Sequence, residues 1–314
     1  MSTQHPPAWS YVVAAIAGVA LSVSARIGGA FTLAVHNPIE AAMVNFGIGL
    51  LILIVIAISL PRVRAQVRSV PSLLTTRVLP WWAFFGGFAG AFYVSTQSFA
   101  VPLIGVASFT VAVVAGQTSS SLLIDRFGLG PAGRQIISAL RVIGAILTVI
   151  AVAIAVSTRF SGAGFSVAAI IAAFAGGVGL ATQQALNGRL SVATKQPLAA
   201  ALVSFALGFF ALVVLVLVLN ATSTLAWGAL PTGPWWIWTS GAMGVTYIAV
   251  GAWIVPKVGV LVFGLLTVVG QLAGALMFDV FAPLPGSVVT VQLVLGLALT
   301  IVAVTIATWR KKAA

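Results

Sequence analysis

The sequence predicts an all-α polytopic membrane protein with ten transmembrane helices, arranged as two inverted five-helix repeats. Three observations carry that prediction. Only 6% of the 314 residues are charged and 61% are apolar, whereas soluble chains carry roughly 25% charged residues. A long block recurs: Trp81 to Phe127 matches Trp235 to Phe281 at a constant offset, without a gap. Finally, the basic residues gather in alternate loops, as the positive-inside rule requires.

Taken in order, the apolar runs give spans at 10–33, 39–60, 80–101, 103–125, 134–156, 164–186, 197–219, 235–255, 257–279 and 286–309. Each is close to the ~20 residues that cross a bilayer as a helix. Helices are expected because they satisfy their own backbone hydrogen bonds in lipid. Trp9, Trp81, Trp82, Trp235, Trp236 and Trp309 fall at span ends, where interfacial belts form. Pro102 and Pro256 stand at the joins of spans 3 and 4 and of spans 8 and 9, and each join reads as a tight hairpin.

With the N-terminus inside, the cytoplasmic segments hold Arg62, Arg64, Arg68, Arg77, Arg126, Arg134, Arg189, Lys195, Lys257, Arg310, Lys311 and Lys312. The outer loops hold only Arg159, while Arg26 and Arg141 fall within spans. Both termini are therefore expected in the cytoplasm, in a multi-pass protein of the plasma membrane. The net charge of +12 follows from this loop pattern and does not imply nucleic-acid binding. No secretory signal is evident, since the first ten residues lack Lys and Arg.

The repeat is fine-grained. Trp81-Trp82 meets Trp235-Trp236, Tyr93 meets Tyr247, Val101-Pro102 meets Val255-Pro256, Gly116-Gln117 meets Gly270-Gln271, and Asp125 meets Asp279. Before Trp81, at a slightly different offset, Gly18, Gly29, Pro38, Phe46 and Gly49 meet Gly177, Gly188, Pro197, Phe205 and Gly208. The units are then residues 1–158 and 159–314. Five spans is an odd number, so the second unit sits upside down. The charges agree: the loop after span 2 carries four arginines, and its counterpart, 220–234, carries none. Inverted repeats of this kind are the architecture of secondary transporters.

Gly116-Gln117 followed by Leu122-x-x-Asp125-Arg126-Phe127-Gly128 resembles a motif of the YdcZ-like branch of the drug/metabolite transporter superfamily. So does Gln184-x-x-Asn187, leading to Leu190, Pro197, Ser204-Phe205 and Gly208. The resemblance implies a ten-helix protein of two fused YdcZ-like units. The wider superfamily exports or exchanges small metabolites, amino acids, drugs and nucleotide sugars. The chain departs from the pattern twice: Ala25 and Gly28 stand where the first repeat would match Gln184 and Asn187, and Ala282 replaces the Gly that follows Phe127.

Polar side chains inside spans are the site candidates, because an amide in hydrocarbon must find partners or lose several kcal/mol. Gln117 and Gln271 head the set, and the competing reading is an interhelical bond worth about 0.6 kcal/mol. Gln183, Gln184 and Asn187 form one polar turn near the end of span 6. Tyr93 and Gln97 share a face of span 3, and Tyr247 repeats the phenol while Gly251 replaces the amide. Asp125 and Asp279 end spans 4 and 9, against the helix dipole. They read either as a gate, Asp125 on the inner side and Asp279 on the outer, or as a structural ion pair or cap. Arg26, deep in span 1, either pairs with Glu40, snorkels to the surface, or faces an anionic substrate.

No enzyme, cofactor or metal signature is present. There is no cysteine, no His pair, no nucleotide-binding Gly-rich loop with Lys and no Ser-His-Asp set. The expected function is a secondary transporter moving a small metabolite or drug-like solute by alternating access, and the expected partners are that solute and the bilayer. A single chain suffices, although a homodimer is compatible. The alternatives are a flippase-like transporter of a lipid-linked substrate and a membrane accessory subunit that does not transport.

Overall fold

The computed structural model describes residues 8–76, 79–131, 133–134, 137–157, 166–222, 231, 233–258, 260–284 and 287–308, with the backbone alone over most of 251–265. Arg77, Arg159, Trp309 and the basic tail lie outside the described residues, and Gly251, Pro256 and Lys257 are described by their backbone alone.

The described chain is almost entirely helical, with no strand among the described residues. Helix α1 (Ala8–Val35) is followed by α2 (Pro38–Ser59), α3 (Pro61–Thr75), α4 (Gly86–Phe127), α5 (Ala139–Val156), α6 (Val167–Thr194), α7 (Pro197–Ala221), α8 (Ser240–Val258), α9 (Val260–Phe281) and α10 (Val291–Thr308). Short 3-10 turns, Trp81–Phe85 and Trp235–Thr239, lead into α4 and α8. Local chemistry sets several of these boundaries. Asn37 caps α2, its Oδ1 accepting from the amides of Ile39 and Glu40, and Pro38 opens the helix. His36 and Lys195, which precede the two matching starts at Pro38 and Pro197, both turn at positive φ (57° and 52°).

Three boundaries differ from the sequence expectation. First, the join of spans 3 and 4 is not at Pro102, which lies inside the helical run; the break is at Gly105, with φ 78° and ψ 167°. Proline fixes φ at about −65° and cannot supply the positive φ of the break, which glycine reaches cheaply. Second, the basic stretch after span 2 is helix α3, amphipathic, with Val63 and Val70 buried and Arg62, Arg64 and Arg68 exposed. Third, span 5 starts late: Ser138 caps α5, so Arg141 sits in its first turn.

Glycine contacts trace the path of α4. A Cβ on Gly176 of α6 would strike Thr96, and one on the adjacent Gly177 would strike the backbone of Val113 and Gln117. In a straight helix Thr96 and Val113 would be about 25 Å apart, so α4 folds back at Gly105. Its first arm runs antiparallel to α6, with Thr96 beside Gly176, Gly90 beside Gln183 and Gly86 beside Asn187. Its second arm runs parallel, with Gly116 beside Phe174, Ile124 beside Ala181 and Ala185, and Gly128 and Gly130 beside Arg189.

The second repeat makes the same contacts with the roles exchanged. Gly18 meets Thr267 and Gln271, as Gly177 meets Val113 and Gln117, and Gly270 meets Ala15, as Gly116 meets Phe174. Gly87 meets Ser204 and Gly208, and Gly241 meets Asn45 and Gly49. Between α2 and α7, Gly49 accommodates the Phe205 ring and Gly208 the Phe46 ring, and the two rings pack at 4.9 Å. Each residue pair maps onto the other at the sequence offsets of the repeat. Helix α5 packs on α10 at the edge.

Among the described residues, five helices are long and apolar enough to cross a membrane. They are Trp9–Val35, Pro38–Ser59, Trp81–Phe127, Val167–Thr194 and Pro197–Ala221, and Trp81–Phe127 supplies two legs. Three shorter apolar helices, Ala139–Ala155, Leu266–Phe281 and Val291–Ile306, complete the set.

At Gly105 a side chain would suffer twice, from the positive φ and from Ser287 Oγ and Asp279 Oδ2, which would lie 2.8 and 3.0 Å from its Cβ. Gly105→Ala is expected to cost about 1–3 kcal/mol, lowering the thermal unfolding midpoint in detergent by several degrees. Gly130→Ala, with nothing within 4 Å, is expected to leave it unchanged.

Candidate functional site

Three of the polar candidates converge from three helices. Gln117 Nε2 on α4 donates to Gln184 Oε1 on α6 at 3.0 Å, and Gln184 Nε2 donates to Tyr247 Oη on α8 at 3.1 Å. Packing places them: the Gly177 contact sets α6 against the backbone amide of Gln117, and Gln184 follows two turns on. All three side chains are half-buried. The chain of bonds joins side chains from both repeats, and no charged group takes part. Such an arrangement suits recognition of neutral polar groups, since amides and phenols both donate and accept.

The related positions in the other half are Gln271, Ala25 and Tyr93, and there the bridge is missing. Ala25 has no amide. Gln271, 3% exposed, is tied through its backbone carbonyl, which accepts from Ser22 Oγ at 2.5 Å. Tyr93 Oη and Gln97 Nε2 are buried with no hydrogen-bond partner. The Tyr93 ring lies 6.2 Å from that of Phe109.

Asn187 does not join the central chain. It donates to Ser204 Oγ at 3.2 Å, and its Oδ1 occupies the space left by Gly86. The opposite half contains the same three residue types on different helices. Asn45 on α2 donates to Ser240 Oγ on α8 at 2.6 Å, and both lie at the space left by Gly28 on α1. Glycine, asparagine and serine have thus moved round the three-helix crossing, from α4, α6 and α7 to α1, α2 and α8. Gly28 stands at the position matching Asn187, as the sequence has it, and Asn45 supplies an amide there from the neighbouring helix. Sequence reasoning missed Asn45 and Ser240, although Asn45 is visible as the register partner of Ser204.

The carboxylates have separate partners. Asp279 is 4% exposed and caps the second arm of α4, accepting from the amides of Val106 (3.0 Å) and Ala107 (2.8 Å) and from Ser287 Oγ (2.8 Å). A carboxylate at a helix N-terminus is favoured by the dipole and by the free N–H groups. Asp125 instead pairs with Arg141 at 2.5 Å, both being about a third exposed. Arg26 does not pair with Glu40. Its Nε donates to the carbonyl of Ala282 at 2.6 Å, at the end of α9, and Asp125–Arg141 is the one salt bridge among the described residues. Helix geometry explains the miss, because Arg26 lies more than two turns before the end of α1, whereas Glu40 is in the first turn of α2. Arg189 stacks over the Trp82 ring at 5.0 Å and donates to the carbonyls of Gly128 and Gly130.

A cavity of about 410 Å³ opens on the side of the bundle between α2, the first arm of α4 and α7. It is lined by Phe88, Phe92, Phe99, Leu212 and Leu215, with Thr96 among its few polar residues.

Comparison with known proteins adds the family. The model of the family described as "Putative inner membrane exporter, YdcZ" matches the chain twice, over residues 9–154 and 168–306. A crystal structure of a protein 17% identical to this chain superposes with a TM-score of 0.56, covering 96% of this chain and 98% of its own. At that identity the likeness speaks for the fold alone. No curated protein matches. Two matches that between them span nearly the whole chain place it, as two fused units, in the YdcZ family of inner-membrane exporters within the drug/metabolite transporter superfamily.

Proposed function

We propose that the chain is a secondary transporter that moves a small metabolite or drug-like solute across the cytoplasmic membrane by alternating access. The observation that carries this reading is the half-buried chain Gln117–Gln184–Tyr247, built from both repeats. Residues 1–158 and 159–314 are the two moving units, crossing the membrane ten times with both termini in the cytoplasm. The parallel courses of α6 with the second arm of α4, and of α1 with α9, are the directions that ten alternating crossings require. One chain contains both units, so a single copy completes the site.

The carboxylates act as gates in this reading. Asp279 closes the outer side by capping the arm that restarts after Gly105. Its counterpart Asp125 is engaged with Arg141 rather than with a helix start, as an inward-facing state requires. The buried half around Tyr93 and Gln97 is then the closed outer half, and the half-buried Gln117, Gln184 and Tyr247 belong to the inner side. The lateral cavity supports a second reading, in which an apolar or lipid-linked substrate enters from the bilayer past Phe92 and Phe99 to Thr96.

A thermal-shift screen of small metabolites in detergent tests the site. A ligand that raises the wild-type midpoint is expected to leave a folded Gln184→Ala variant unmoved, and equal shifts in both would put the site elsewhere. The gate is tested with an impermeant maleimide, since the chain has no cysteine of its own. Ser108→Cys, at a position 1% exposed beside the capped helix start, is expected to label slowly from outside. Adding Asp279→Asn is expected to speed labelling about tenfold, and adding Asp125→Asn is not. Equal rates in all three would remove the gate.

A further inference from the structure

The missing bridge between Gln271 and Tyr93 marks where the solute binds, and what kind of group it presents. In one half Gln184 links Gln117 to Tyr247 by giving and taking a hydrogen bond. In the other half the same place belongs to Ala25, 2% exposed, within the large buried core that also includes Tyr93 and Leu272. The register is secure, because Gly18 and Gly28 on α1 meet the counterparts of what Gly177 and Asn187 meet on α6. What is absent is the end of a glutamine side chain, a carboxamide. The groups that would bind it are in place and unpaired: Tyr93 Oη on a residue 5% exposed, and Gln97 Nε2 on one 2% exposed. Gln97 Nε2 points at the space beside Gly28, 3.2 Å from where a Cβ would be. Gly28 is one turn from Ala25 on the same face of α1.

A buried amide and a buried phenol left unpaired are each costly, and polar groups at this depth in a membrane protein mark substrate paths. We propose, building on the transporter reading, that the place beside Ala25 in the first-repeat half, closed in this state, binds an uncharged solute bearing a carboxamide, or a group with the same donor and acceptor pattern. That group takes the place Gln184 holds in the second repeat and hydrogen-bonds to Tyr93, Gln97 and Gln271. The partners at this place, a phenol and amides, are uncharged. Of the charged groups, Asp125 is held by Arg141 and Asp279 by the start of the second α4 arm, while Arg26 Nη1 and Glu40 Oε2 are buried without a hydrogen-bond partner. Binding draws the outer half open by stabilising the state in which the place is accessible.

Fragment complementation tests the proposal without knowledge of the natural solute. Acetamide, the missing fragment itself, is expected to raise the unfolding midpoint of the wild-type protein by about 2–4 °C, and isosteric acetate is expected not to. Ala25→Gln supplies the fragment covalently, so its midpoint is expected to start higher and to be insensitive to acetamide. Ala25→Leu, filling the volume without the amide, is expected to start lower. Should Ala25→Gln fail to fold, Tyr93→Phe keeps the test decisive, because it removes one partner and is expected to abolish the acetamide response. An equal acetamide shift in wild type and Ala25→Gln or Tyr93→Phe, an equal shift with acetate, or no shift at all would overturn the proposal. If acetamide fails while Gln184→Ala still removes the response to a screened ligand, the transporter reading stands and only this subsite falls.

Discussion

Backbone-to-backbone contact at glycine is the constraint on which the rest of the structure depends. Lipid tails are as apolar as the helices, so helix association in a membrane relies on close packing and not on the hydrophobic effect. At Gly177 and Gly116, and again at Gly18 and Gly270, there is no room for even one carbon between neighbouring helices. These contacts hold the first helix of each repeat against the fourth helix of the other, so neither repeat buries its own faces alone. They also aim the chemistry. Gln117 contributes its backbone amide to the Gly177 contact, and its side chain therefore meets Gln184 two turns further along α6.

The second organising device is the break at Gly105. It lets one apolar run fold back within the bundle, and the arm that restarts after it exposes free amide groups. Asp279, from the other repeat, satisfies those groups. A carboxylate that opposes the dipole of its own helix thereby gains from the dipole of another. This explains how a charged residue persists at the end of an apolar helix, and it links the two repeats through a buried polar contact.

Much of this was legible in the sequence, because paired tryptophans, Gly-Gln and Asp keep their register wherever apolar residues drift. The repeat positions, the helical class and the convergence of polar candidates follow from those residues. Gln117, Gln184 and Tyr247 form one hydrogen-bonded chain, which Gln271, Tyr93 and Gln97 do not join. What escaped the sequence depended on three-dimensional partners. Proline marked the hairpin to within three residues, but steric freedom placed the turn at Gly105. Arg141 read as a residue inside a span, although Ser138 starts the helix late enough to bring it to Asp125. The amphipathic helix α3 read as a loop because its apolar face is only a few residues wide.

The Gly, Asn and Ser set that moves round the helix crossing has a consequence for how the two halves are compared. Position by position, Gly28 against Asn187, Asn45 against Ser204 and Ser240 against Gly86 look like three lost identities. In space they are one conserved hydrogen bond with its donor and acceptor carried by different helices. The two halves fill the same volume with the same groups drawn from different positions. Aligning such duplicated proteins by contacts therefore recovers kinship that alignment by residue understates.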